Sequence, residues 1–295
     1  MSATKFKGTG VAIITPFRKD STIDFGALEN LVNFLISNKV NYLVVLGTTG
    51  ESVTLSKDEK NAVISFVTEI NNNRVPVIAG IGGNNTQDII NNIKETDFDN
   101  IDGILSVAPY YNKPTQKGLY QHFKTIAGAC PVPVIIYNVP GRTGVNISAD
   151  TTLKLASEIK NIVAVKEASG NIEQMTYIIK DKPEDFLVIS GDDSLTLPLI
   201  SIGGAGVISV LANAFPCQVS ELVNNALEGN YEKASLLHLG MAELISLLFI
   251  EGNPAGIKAV MSAMDLVQNN LRLPLTPVSR NTYNRITEVV KGIST

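Results

Sequence analysis

Apolar residues in this chain fall into short runs rich in Val, Ile and Leu, at 10–15, 42–46, 75–79, 103–107, 134–137, 162–165, 186–189 and 206–210. Between several of them lie stretches whose apolar positions recur every three or four residues, as at 25–37, 57–69, 86–94, 119–127 and 149–159. The first pattern is that of strands, the second that of amphipathic helices. Two of the helical stretches carry start signals. Ser56 precedes Lys57-Asp58-Glu59, and Ser148 precedes Ala149-Asp150, each a hydroxyl N-cap with an acid in the first turn. The strands are continuously apolar rather than alternating, which implies burial on both faces and parallel pairing through right-handed crossovers. An α/β fold follows. Eight units over about three-quarters of the chain favour a closed (β/α)8 TIM barrel over a doubly wound open sheet. From Gly229 onward the strand pattern stops; 231–248, 254–264 and 282–290 predict helices, with LRLPLTP as a Pro-punctuated connector. The expected organisation is a barrel over 1–228 and a C-terminal helical appendage over 229–295.

Composition narrows the function classes. The chain has 295 residues, 44% hydrophobic and 18% charged, with net charge −4, so a normal core forms and nucleic acid or an anionic membrane is not the expected partner. Two cysteines, Cys130 and Cys217, with no Cys/His spacing, give no disulfide framework or zinc motif. The opening MSATKFKGTGVAIITPF lacks a signal-type apolar core, and MAELISLLFI contains a Glu and is too short to span a bilayer. A cytoplasmic protein is expected.

In a barrel of this kind the chemistry sits at the C-terminal strand ends. After the second run comes Gly47-Thr48-Thr49-Gly50-Glu51-Ser52, whose N–H groups and hydroxyls suit a carboxylate but also suit an ordinary turn. After the fourth comes Pro109-Tyr110-Tyr111-Asn112-Lys113-Pro114, offering phenols to a site or aromatic surface to packing. After the fifth, Tyr137 should direct its hydroxyl to the barrel mouth. Arg142, in the Pro-Gly turn that follows, could serve a carboxylate or a surface ion pair. The sharpest feature is Lys166, placed directly after the apolar run 162–165. Burial lowers a lysine pKa and frees the neutral amine as a nucleophile toward a carbonyl; a structural pair with Glu167 is the alternative. Gly80-Ile81-Gly82-Gly83 lacks dinucleotide-loop spacing, and His122 and His238 stand alone on helical stretches.

Taken in order, GTTGES, PYYNKP, YNVPGRT and VKEASG, with GTGVAIITPF before them and NPAGIK and LRLPL after, make the whole chain resemble the dihydrodipicolinate synthase / N-acetylneuraminate lyase superfamily of class I aldolases. Arg142 within YNVPGRT, together with PYYNKP, is similar to the synthase branch; sugar-acid lyases share the YN-P and the lysine but generally lack that arginine. The resemblance implies condensation of pyruvate with L-aspartate 4-semialdehyde in the diaminopimelate/lysine pathway, without metal or cofactor. It further implies that Lys166 forms an imine with pyruvate and that Thr48 and Thr49 hold its carboxylate, with a backbone contact from Ile208. Tyr137 would move protons in a relay with Thr48 and Tyr111, the latter entering from a neighbouring subunit of a homo-oligomer, and Arg142 would receive the aldehyde's carboxylate. An end-product effector site would draw on Ser52, Lys57, Lys60, Asn84, Asp88 and Tyr110, with lysines at 57 and 60 where feedback-sensitive relatives typically carry histidines. A sialic-acid or sugar-acid lyase, and a barrel that binds without catalysis, are the competing functions.

Overall fold

The structure, a computed structural model, describes residues 3–293. Eight parallel strands form a closed ring in chain order: β1 (Gly8–Ala12), β2 (Tyr42–Val45), β3 (Val77–Gly80), β4 (Gly103–Val107), β5 (Val134–Asn138), β6 (Ile162–Glu167), β7 (Leu187–Ser190) and β8 (Gly206–Ser209). The open-sheet alternative is excluded by pairing of β8 with β1 in the register Gly8↔Gly206 to Val11↔Ser209. That seam depends on glycine. Gly206 has φ +140, and a Cβ on it would lie 2.0 Å from the Gly8 carbonyl oxygen.

The first strand ends earlier than its apolar run; 13–15 continue as buried coil, with the Ile13 N–H still donating to the Val44 carbonyl at 3.1 Å. The sixth runs two residues further than expected and takes in Lys166 and Glu167. Between β5 and β6 the register shifts by one residue: Val134 faces Ile162, but Ile135 faces Ala164. This bulge moves Lys166 opposite Tyr137, where an unbroken register would put Val165.

The outer layer comprises α1 (Phe25–Ser37), α2 (Lys57–Asn71), α3 (Thr86–Glu95), α4 (Gln116–Ala129), α5 (Pro140–Thr143), α6 (Ala149–Glu158), α7 (Ile172–Asp181), α8 (Thr196–Ser201) and α9 (Pro216–Leu227). Ser56 caps α2 in a reciprocal capping box with Glu59, and Ser148 caps α6 through the Thr151 N–H. Phe6, on a short 3-10 turn, plugs the interior against Tyr42, with ring centroids 6.0 Å apart.

α10 (Tyr231–Phe249), α11 (Ala255–Ala263) and α12 (Arg280–Ile293) follow the barrel. One hydrophobic cluster runs from Leu28, Val32 and Val223 of the barrel layer into Leu244, Leu248, Ile257, Val260 and Ile286. Among the described residues no helix is long and apolar enough to cross a membrane.

Candidate active site

Lys166 and Tyr137 face each other across β5 and β6, and both side chains are buried in the ring. The Lys166 Nζ lies 4.4 Å from the centroid of the Tyr137 ring. Burial lowers the Lys166 pKa from 10.5 to about 7; Asp193 opposes the change and Arg142 adds to it. The stem of Lys166 has room because residue 191 is glycine: a Cβ there would fall 2.9 Å from Lys166 Cε. Glu167, one residue on, projects to the other face of the strand. Its carboxylate accepts from Asn138 Nδ2 at 3.1 Å, the Ser169 N–H at 2.8 Å and Gln174 Nε2 at 3.0 Å. The Lys166–Glu167 pairing alternative is thereby removed.

Burial pushes the Tyr137 phenol above its ordinary pKa, while Arg142 and a hydrogen bond with the Thr48 side chain pull the other way. The phenol is thus in contact with a second hydroxyl. Thr48 and Thr49 lie in a 3-10 turn just beyond β2, and Glu51 follows with φ +53. Thr49 is buried, and its Oγ1 accepts from Asn253 Nδ2 at 3.0 Å. The expected Pro-Gly turn after β5 is the one-turn helix α5, with Pro140 at its start. It presents Arg142, exposed, whose Nη2 donates to the Asn253 carbonyl at 3.1 Å. Ile208 is buried on β8, in the same interior cluster as Tyr137.

Thr48, Tyr137 and Arg142 line a cleft of about 470 Å³ whose outer wall includes Ser52, Lys60 and Tyr110. Tyr111 is not brought into it. Its side chain is 91% exposed, and its backbone is held at φ +71 by a hydrogen bond to the Thr143 carbonyl. Of the six effector candidates, Ser52, Lys60 and Tyr110 share this cleft, and Asn84 Oδ1 accepts the Tyr110 N–H at 2.8 Å. Lys57 joins Lys60 in a smaller cavity of about 160 Å³ beside α2 and α3, where it pairs with Glu95. Asp88 is exposed in the first turn of α3 and lines neither cavity.

Two buried charges, Asp193 and Lys258, went unread in the sequence. Asp193, buried, accepts from Ser209 Oγ at 2.5 Å and from the Val210 and Leu211 N–H groups. Two consecutive aspartates at a strand end were its signal. Lys258, a lone charge in the apolar run AGIKAVM, is fully buried against Glu51 at 2.5 Å. His122 is a buried packing residue with Nδ1 2.8 Å from Thr86 Oγ1. Among the described residues no group of three or more His, Cys, Asp or Glu side chains could hold a metal ion.

The sequence profile described as "Dihydrodipicolinate synthetase family" matches residues 5–293. A 4-hydroxy-tetrahydrodipicolinate synthase from Parabacteroides distasonis is 51% identical over 294 residues, 100% of this chain and 99% of that one. The crystal structure of dihydrodipicolinate synthase from Aquifex aeolicus superposes with a TM-score of 0.95 at 45% identity, covering 98% of each chain. The enzyme from Cyanidioschyzon merolae, solved with lysine bound, gives a TM-score of 0.93 at 38% identity, covering 98% of this chain and 99% of that one. The chain belongs to the dihydrodipicolinate synthetase family.

Proposed function

We propose that this member of the dihydrodipicolinate synthetase family is a lyase of lysine and diaminopimelate biosynthesis, joining pyruvate to L-aspartate 4-semialdehyde to give 4-hydroxy-tetrahydrodipicolinate. The observation that carries the reading is a desolvated amine, Lys166, set 4.4 Å from the ring of a buried phenol, Tyr137. The name shared by its relatives supports the choice of product. Neutral Lys166 attacks the ketone carbon of pyruvate, and loss of water leaves an imine. Imine formation acidifies the adjacent methyl group. Tyr137, hydrogen-bonded to Thr48, gives its proton to the hydroxide that leaves as the imine forms; the resulting phenolate removes the methyl proton to give the enamine, and the phenol so regenerated later protonates the new alkoxide. The amine of the second substrate then displaces Lys166 as the ring closes. Thr48, Thr49 and the Ile208 backbone hold the keto-acid carboxylate, and Arg142 takes the carboxylate of the aldehyde. The reaction runs in the cytoplasm.

The deciding experiment supplies pyruvate with L-aspartate 4-semialdehyde or with N-acetylmannosamine and follows aldehyde consumption. Only the first is consumed; the reverse result assigns a sugar-acid lyase, and consumption of neither, a binding barrel. Arg142→Ala in the same assay raises KM for the semialdehyde while imine formation persists. Because Arg142 is exposed, the low end of the range for such contacts applies, about 2 kcal/mol or roughly 30-fold. Equal loss of both half-reactions removes the assigned role.

Tyr111 completes the relay of a second copy of the chain, which its 91% exposure beside the site supports; the smallest active species is then a homodimer. Mixed Tyr111→Phe and Lys166→Arg chains recover activity on subunit exchange. No recovery after confirmed exchange refutes the shared site.

Of the effector candidates, Ser52, Lys60, Asn84 and Tyr110 make up a weakened effector site, with Lys57 in the adjoining smaller cavity and Asp88 outside both. Lys57 is occupied by Glu95, so the cation facing a ligand ammonium is Lys60, a donor only. Like charges ~4 Å apart repel by about 4 kcal/mol at an effective dielectric of 20. L-Lysine therefore leaves activity unchanged below about 1 mM, an affinity limit set by that penalty. Sub-millimolar inhibition in an activity titration contradicts this.

A further inference from the structure

The loop that follows β2 is held by residues 204 to 221 positions away in sequence. Glu51 adopts a left-handed backbone conformation that a residue with a Cβ rarely takes without external support. Its carboxylate is buried. One oxygen accepts from Lys258 Nζ at 2.5 Å, and the other from the Arg272 N–H at 3.1 Å. Lys258 is itself fully buried, donates to the Asn270 carbonyl at 2.9 Å and lies 4.3 Å from the Phe17 ring centroid. A buried ion pair is a poor source of net stability, because desolvation offsets its attraction; what it does supply is fixed geometry.

Asn253, just before α11, adds a second hold. Its Nδ2 donates to Thr49 Oγ1, and its carbonyl accepts from Arg142. A hydroxyl has one proton and two lone pairs, so accepting from Asn253 leaves the Thr49 proton free to donate elsewhere. The Asn253 Oδ1 is buried with no partner among the described residues.

We propose that Asn253 and the Glu51–Lys258 pair are positioning residues: the C-terminal helices hold Thr48 and Thr49 in the orientation that receives the keto-acid carboxylate. The inference rests on the imine-forming reading above. Borohydride trapping of pyruvate on the full-length protein tests both, with melting temperature measured in parallel. Asn253→Ala removes an uncharged contact, and Glu51→Gln/Lys258→Met removes both charges so that neither is left buried alone. Each raises the half-saturating pyruvate concentration about 10-fold, the loss expected for one well-placed buried hydrogen bond. The trapping rate at saturating pyruvate stays within about 2-fold of the parent, because the reacting amine is untouched. A lowered melting temperature with parental half-saturation in either variant means that residue is only structural and overturns the proposal for it. A parent protein that traps nothing overturns the imine reading and the inference together.

Discussion

Lys166→Arg abolishes trapping of pyruvate by borohydride and lowers turnover by at least about 10³-fold, since a guanidinium cannot form the imine and no other group replaces the nucleophile. Mass spectrometry of the trapped parent locates the label on Lys166; label on Lys258 or any other lysine sinks the mechanism. The pH dependence follows from burial. With a pKa of about 7, the amine is mostly neutral at pH 8 and mostly protonated at pH 6. The initial trapping rate therefore falls as pH drops through 7. An inflection above pH 9 would mean an ordinary, hydrated lysine.

The same desolvation has a cost in stability. The folded-state pKa lies below the unfolded one, so between about pH 7 and 10.5 the unfolded chain binds more protons and stability rises with pH. Below that window the penalty is complete. Near pH 7 it is on the order of 5 kcal/mol, from about 1.4 kcal/mol per pH unit. Lys166→Met, which keeps an unbranched side chain in the same space, is accordingly more stable than the parent by that order. Urea midpoints at pH 7 and pH 10 check the sign: the gain shrinks toward the higher pH.

Tyr137→Phe reduces turnover by about 10²–10⁴-fold, the range for a positioned general acid–base group. Burial raises the phenol above its ordinary pKa, so it remains protonated across the neutral range and can act as donor, with Thr48 in contact to take part in the return transfer. Exchange of pyruvate methyl protons into D₂O, followed by NMR, slows by the same factor, whereas the amount of pyruvate trapped on Lys166 at saturation does not change. If exchange proceeds at the parental rate, Tyr137 does not move the methyl proton.

What the sequence by itself determined is whatever burial writes locally. Eight apolar runs, each continuous because both strand faces are covered, specify the strands, and their number specifies closure. Ser56 and Ser148 mark helix starts because a cap acts within three residues. Lys166 was legible because a charge at the end of an apolar run is a local anomaly. Partner identity was not legible, since it depends on distances that only the folded chain creates. Lys166 sits opposite Tyr137 because of a one-residue bulge between β5 and β6, which no pattern of residue types announces. Glu167 turns away from Lys166 because successive residues of a strand face opposite sides. Asn253, Lys258 and Arg272 reach the β2 loop across more than 200 residues. Asn253 and Arg272 look like surface residues in the sequence, and Lys258, though an anomaly in its apolar run, names no partner there, because a counter-charge is identified only once the fold has brought it alongside.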